Sequence, residues 1–457
     1  MSRALLAGLA LLVQLEATAE APPAIIHLPA MDAKAARVAA DRSAAKAAPL
    51  RFARPHQLHL SPAQAGRWTR EGRTARWKLV LSAPGATDIN IGLRKASFPN
   101  GASLTLTGED GLSVGPFDAA DLTAGQLWTP PVPGETARIE VTVPAAAEET
   151  LGFVLTHAGA GFRDVYRRGG GPGLAKQGFC NIDVTCPEAE PFDDEIRAVA
   201  AYTINGVDAC TGTLIMDAEG SFRPWFLTAF HCRVSTTNAP SVVTLWNYES
   251  PACGQLGGGS RLQSVSGARL VAAREDVDFA LLELSARPPT EFDVHFAGWD
   301  RTDLAPATTV GIHHPGVDEK AIAFDDDAPS RGPSCIVNGT GDTHWYVGAW
   351  ERGTTERGSS GSALLDAATG RVIGLLSGGA AACSNRDGFD CYGRLARAWS
   401  GGTNATQRLE PWLDPAGSDT TTIDGSDLPA ALQAPLFTDS FEPGTETVRS
   451  APAIAKP

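Results

Sequence analysis

The sequence predicts an all-β chain in which a small cysteine-free β-domain precedes a larger disulfide-bonded one. Three observations point there. Gly 48 and Pro 32 together make 80 of 457 residues, a turn-rich composition that suits short strands. Short β-like runs separated by turn signals recur from Gly66 onward. All eight cysteines fall between Cys180 and Cys391, and an even count in one stretch reads as four disulfides in an oxidising compartment.

The elements follow in order. Arg3, an apolar stretch over residues 4–15 and Ala17-Thr18-Ala19 before Glu20 have the layout of a secretory signal over residues 1–19. Residues 20 to about 60 are rich in Ala, Pro and Arg and weakly patterned. Runs at 75–82, 87–92, 102–107 and 137–143 have β character, with turns at Pro99-Asn100-Gly101 and Pro133-Gly134, so residues 60–160 read as a sandwich-like domain. Arg167-Arg168-Gly169-Gly170-Gly171-Pro172-Gly173 reads as a linker closing a pro-region of residues 20–176. The cysteine-bearing domain then spans 177–428, and 429–457 forms a Pro- and Thr-rich tail.

Composition also excludes. With 43% hydrophobic and 20% charged residues the chain is not disordered, and no apolar run reaches the ~20 residues of a membrane span. A net charge of -14 argues against nucleic acid as a partner. Residues 177–430 carry 34 acids against 17 bases, and residues 1–176 carry 15 against 19, so the two halves have charges that favour docking.

Three stretches carry chemistry. Residues 225–232 form an apolar run ending at His231-Cys232, Asp278 opens the apolar run 279–284, and Gly358-Ser359-Ser360-Gly361-Ser362 places a Gly-flanked serine before a strand. Singly these are a packed histidine, a turn residue and a linker. Together, with gaps of 47 and 82 residues, they stand in the order His, Asp, Ser that a chymotrypsin-type triad uses. A serine needs a neutral imidazole to take its proton and a carboxylate to hold that imidazole. Glycine at 358 would let the Gly358 and Ser360 amides converge on an oxyanion. His313-His314 could suggest zinc, but adjacent imidazoles on a strand point apart and no His-Glu-x-x-His helix exists, so no metal or cofactor is expected.

His231-Cys232, Asp278-Phe279, the Gly-Ser-Ser-Gly-Ser motif and Tyr392-Gly393-Arg394 resemble the secreted bacterial lysyl endopeptidases, a branch of the chymotrypsin-like serine proteases. So do Phe296-Ala297-Gly298-Trp299-Asp300, Ile312-His313-His314-Pro315-Gly316 and Trp412-Leu413-Asp414-Pro415, and the likeness runs from Cys180 to about Gly425. The resemblance implies two six-stranded antiparallel β-barrels with His231, Asp278 and Ser360 in the cleft between them. It implies disulfides Cys180–Cys383, Cys186–Cys253 and Cys210–Cys232, leaving Cys335 and Cys391 as an additional pair beside the pocket. It puts the pocket carboxylate at Asp390, with Asp387 as the rival, and makes Ser377, Gly378 and Gly379 the edge that pairs with substrate backbone. Two departures, Ile336 where the family has Trp and Ser377 where it has His, favour relaxed Lys/Arg cleavage.

Of seven lysines only Lys320 lies between Cys180 and the tail, which suits a Lys-specific enzyme, and Lys176 sits four residues before Cys180 where the mature chain would begin. Residue 359 is Ser, so the ion pair that activates trypsin-like enzymes cannot form here. The expectation is therefore a secreted, monomeric serine endopeptidase, free of the membrane once the signal is removed. It would act on polypeptides at Lys or Arg, with residues 20–176 as intramolecular chaperone and inhibitor. A second reading is a catalytically weak protease-like module whose N-terminal β-domain binds carbohydrate or cell wall.

Overall fold

The computed structural model describes residues 23–43, 48–163, 177–337, 341–429 and 432; the expected signal, the Gly-rich linker and nearly all of the tail lie outside them. Strict alternation builds the first unit. In Thr74–Ser82, Ala75, Trp77, Leu79 and Leu81 are buried while their neighbours are not, so one face of the strand enters a core. That strand is central in a sheet ordered Ala24–His27, Thr74–Ser82, Thr136–Pro144, Ser103–Gly108, Ser113–Phe117, with Arg67–Glu71 beside it. A second sheet, ordered Val132–Pro133, Asp88–Ser97, Gly152–Gly161, Ala53–Leu60, closes over the same core, making a sandwich.

Residues 20–60 are more structured than their sequence suggests. They form strand Ala24–His27, helix Ala33–Ser43 and strands Leu50–Arg51 and Ala53–Leu60. The helix is mostly alanine and arginine, so it carries good propensity and little hydrophobic period; Asp32 Oδ1 accepts the Ala35 amide at its start, at 2.9 Å. Ala53–Leu60 contains Pro55 and two histidines and, among the described residues, pairs with one strand, Gly152–Gly161.

The cysteine-bearing part is two β-barrels. In the first, Val199–Ile204, Asp208–Ile215, Trp225–Thr228 and Phe279–Leu284 pair in that order, with Val243–Leu245 on the outer side of Val199–Ile204. Ser264–Ser266 and Ala268–Arg274 are one strand bent at Gly267, whose φ of 89° is open to glycine; its first half pairs with Val243–Leu245 and its second with Phe279–Leu284, which closes six strands into a barrel. The second barrel is ordered Ala321–Asp325, Thr309–His313, Ala363–Asp366, Val372–Gly379, Asp390–Arg394, His344–Val347, and a bridge between Phe324 and Arg352 returns toward its start. The barrels meet over Trp225, Leu227, Phe279, Leu281, Ile312, Ala363, Leu365 and Leu375. Among the described residues no helix is long and apolar enough to cross a membrane.

The sandwich touches the first barrel directly. Asn90 Nδ2 donates to the Gly206 carbonyl at 2.8 Å, Ser266 Oγ donates to the Trp128 carbonyl at 2.9 Å, and Leu50–Arg51 adds to the open edge of Asp208–Ile215.

Candidate active site

His231 and Asp278 come from neighbouring strand ends. His231 sits in the single turn Phe230–Cys232 after strand Trp225–Thr228, and Asp278 immediately precedes the paired strand Phe279–Leu284. Asp278 takes φ of 51°, which turns its carboxylate back under the histidine. Its Oδ1 accepts the His231 amide at 2.9 Å and its Oδ2 lies 2.8 Å from His231 Nδ1, so one carboxylate fixes both the backbone and the ring. Asp278 is 1% exposed. His231 Nε2 is buried and has no hydrogen-bond partner among the described residues.

Ser360 lies in the turn before strand Ala363–Asp366. Its carbonyl accepts the Thr211 amide at 2.9 Å, and Thr211 Oγ1 donates to the Gly358 carbonyl at 2.9 Å, which stitches the serine turn to the strand beside His231. A Cβ at Gly361 would lie 2.2 Å from Thr228 Oγ1 and 2.6 Å from the Thr211 carbonyl, and φ there is 85°, so the turn can approach this closely only with glycine. Gly358 takes φ of 101° with the backbone of residues 314–317 packed against it. Neither the Gly358 nor the Ser360 amide donates to a protein acceptor among the described residues. Ser360 Oγ makes no hydrogen bond, to His231 or to any other described residue; such bonds are often long in a substrate-free site and close in the complex.

The structure pairs Cys180 with Cys383, Cys186 with Cys253, Cys210 with Cys232 and Cys335 with Cys391. Cys210–Cys232 ties the Asp208–Ile215 strand to the residue after His231.

Two family models match the chain: the lysyl endopeptidase N-terminal domain over residues 27–151 and the lysyl endopeptidase C-terminal domain over residues 174–393. A lysyl endopeptidase of Pseudomonas aeruginosa is 29% identical over 341 residues, covering 69% of this chain and 71% of that protein. The chain is a lysyl endopeptidase-like protease. The family match extends over the N-terminal sandwich, beyond the motifs on which the sequence resemblance rests. Among solved structures, the active form of the Rv3671c protease from M. tuberculosis has 16% identity and a TM-score of 0.31, covering 49% of this chain and 92% of its own. The MamO protease domain from Magnetospirillum magneticum has 12% identity and a TM-score of 0.29, covering 44% of this chain and 93% of its own.

In this lysyl endopeptidase-like protease, Asp390 is 1% exposed and opens strand Asp390–Arg394. Its Oδ2 accepts from Trp350 Nε1 at 2.8 Å and from Thr355 Oγ1 at 2.7 Å. Burial pushes its pKa up to about 6, against the pull of those two donors. Gly379 pairs with Asp390, and a Cβ there would fall 2.5 Å from Asp390 Oδ1; glycine keeps that oxygen approachable. Asp387, the rival carboxylate, is exposed. Trp350 and Thr355 carry no sequence signal that would have marked them; they are found only because the fold brings them 40 and 35 residues back to Asp390.

Ser377 is 1% exposed and Gly378, with φ of 143°, breaks the register of strand Val372–Gly379, so beyond Leu376 the edge facing the cleft has no strand partner among the described residues. Cys335 Sγ lies 3.4 Å from the Gly378 carbonyl, so the Cys335–Cys391 bridge braces this wall. At Ser377, where the resemblance leads one to expect His, a histidine arrives from strand His344–Val347 instead: His344 Nε2 is 3.1 Å from Ser377 Oγ. Burial lowers its pKa to about 4, so it is neutral, and the charge of Asp278 opposes that shift. Ile336 lines a cavity of about 580 Å³ beside His231, together with Phe230, Val234, Leu270 and Val337.

His313 and His314 point apart. His313 Nδ1 is 2.8 Å from Ser359 Oγ and His314 Nδ1 is 2.8 Å from the Asp318 carbonyl, and burial lowers both pKa values, His313 to about 3. Ser359 therefore holds a neutral partner where trypsin-like enzymes hold an ion pair.

Proposed function

We propose that this protease is secreted, that it cleaves peptide bonds on the carboxyl side of lysine, and that it does so through an acyl-enzyme on Ser360. His231 Nε2 takes the Ser360 proton as Oγ attacks the carbonyl. Asp278, already bonded to Nδ1, orients the ring and stabilises the imidazolium. The Gly358 and Ser360 amides receive the oxyanion. His231 then gives its proton to the leaving amine, and water attacking the ester releases the acid and restores Ser360.

The observation that carries the lysine preference is the state of Asp390. Both hydrogen bonds from Trp350 and Thr355 fall on Oδ2, which leaves Oδ1, on the Gly379 side, as the acceptor for substrate. A single oxygen suits the compact ammonium of lysine; the arginine fork gains most from two parallel acceptors. Lys320, the lone lysine of residues 177–428, supports the same reading. It is buried, with Nζ 2.6 Å from the Ile196 carbonyl and 2.8 Å from Glu249 Oε1, and so is withheld from self-cleavage. The reading includes a signal at 1–19, a pro-region at 20–176, a protease domain at 177–428 and a tail at 429–457, with the pro-region assisting folding and covering the cleft until it is cut away.

Mass spectrometry of a digested protein mixture tests this. Lysine should precede at least nine in ten cuts, a ratio of about 10 to 1 over arginine that corresponds to ~1.4 kcal/mol. Equal use of both residues would remove the one-oxygen argument, and cuts after apolar residues would remove Asp390 from the pocket.

A further inference from the structure

The edge of the first barrel that faces the serine turn is occupied by the chain itself. Thr211 bonds the Ser360 carbonyl, and from there the strand Asp208–Ile215 runs back through Cys210 and Ala209 to Asp208. Leu50 pairs with Ala209 and Arg51 with Asp208, antiparallel, and the Phe52 amide donates to the Val207 carbonyl at 2.9 Å. Residues 50 to 52 thus run away from Ser360 as their numbers rise. The Asp390 pocket and the Ser377–Gly379 edge lie across the serine turn, since the Gly361 amide donates to the Leu376 carbonyl at 2.9 Å. That side takes the residue before the scissile bond. The Asp208 edge therefore faces the residues after it, and a bound substrate would cross it with the polarity that Leu50, Arg51 and Phe52 already have.

The side chains add a charge match to the strand match. Arg51 Nε donates to Asp208 Oδ1 at 2.6 Å and a terminal nitrogen donates to Oδ2 at 2.9 Å, a two-pronged pair in which Asp208 is 18% exposed. Helix Ala33–Ser43 lies over the same mouth, with Asp41 3.4 Å from Arg357 Nη1, three residues before Ser360.

We propose that Asp208 selects a basic side chain among the first few residues after the cut, and that in the full chain Leu50 and Arg51 fill this subsite as a substrate-like strand. The proposal rests on the serine-endopeptidase reading above and extends it to the leaving half of the substrate. Arg51 is the ligand the subsite is built to hold, and release of the N-terminal unit hands that place to the substrate.

The test uses quenched peptides with one Lys at the cut and Arg, Ala or Glu at each of the four following positions. For the processed enzyme, kcat/KM with Arg should exceed that with Ala by about fivefold or more at one of those positions, as a partly exposed ion pair provides. The ratio should fall to near one in Asp208→Asn, and also in the unaltered enzyme at ~1 M NaCl, an arm that needs no variant. In the full chain, Arg51→Glu should shorten the lag before activity appears. A flat profile over all four positions, a ratio that survives Asp208→Asn, or an unchanged lag would overturn the proposal. Those outcomes leave lysine cleavage intact; if no Lys peptide is cut after processing, the underlying reading fails instead.

Discussion

Ser360→Ala should lower hydrolysis of a lysine ester by about 10⁶-fold, the scale on which removal of a triad serine acts. The protein should otherwise be unchanged. Ser360 Oγ makes no hydrogen bond among the described residues, and the ties that hold this turn run through the Ser360 carbonyl to Thr211, through the Gly358 carbonyl and through the Gly361 amide. Alanine keeps all of them, so the melting temperature should stay within a degree or two of the parent, as for a substitution that removes no native contact. The amides of residues 358 and 360 also remain, so a residual rate about 10³-fold above water is expected from the oxyanion site and binding alone. Rate measurement beside a thermal melt separates the outcomes. Undiminished hydrolysis would show that the nucleophile lies elsewhere, and lost activity with a collapsed melt would show that the hydroxyl supports the fold.

Much of this candidate site is legible in sequence because the chemistry proposed for it rests on short local motifs. His231 beside Cys232, Asp278 before an apolar strand and a Gly-flanked Ser360 each record a strand end and a turn, and the two-barrel fold makes strand ends converge. Gly361 is legible for a related reason: its φ and its approach to Thr228 and Thr211 admit no side chain. What supports Asp390 is not legible. Trp350 and Thr355 reach it across 40 and 35 residues, and nothing local distinguishes a tryptophan that donates to a buried carboxylate from one that fills a core. The same holds for His344, which reaches Ser377 from another strand, and for Arg51, whose partner Asp208 lies 157 residues away. Helix Ala33–Ser43 escapes for a different reason. Alanine marks helix by propensity and barely by hydrophobic contrast, so periodicity is silent where the helix docks through small residues and the Asp41 ion pairs.

Asp390→Asn should cripple lysine cleavage and at the same time stabilise the enzyme at neutral pH. The side chain is nearly isosteric, and the amide oxygen can still accept from Trp350 and Thr355, so the pocket keeps its shape. Its charge is gone. A lysine ammonium entering the variant would be buried without a counter-ion, a loss of about 4 kcal/mol that lowers kcat/KM roughly 10³-fold. Stability moves the other way. Burial raises the folded-state pKa of Asp390 to about 6, above the ordinary value of 3.8, so the folded protein holds this proton more firmly than the unfolded chain does. The stabilising contribution of that proton is fully present below pH ~4 and is lost as pH rises through ~6. At pH 7 the ionised carboxylate then costs roughly 3 kcal/mol, two pKa units at ~1.36 kcal/mol each, and asparagine does not incur it. Melting temperatures should therefore favour Asp390→Asn at pH 7, with the gap closing as pH falls toward 4. The parent's kcat/KM on Lys peptides should decline through the same window as the free carboxylate takes up its proton. A variant that still cuts after lysine at the parental rate would place the cation's partner elsewhere. A variant less stable than the parent at pH 7 would mean that Asp390 is held ionised by partners strong enough to outweigh its burial.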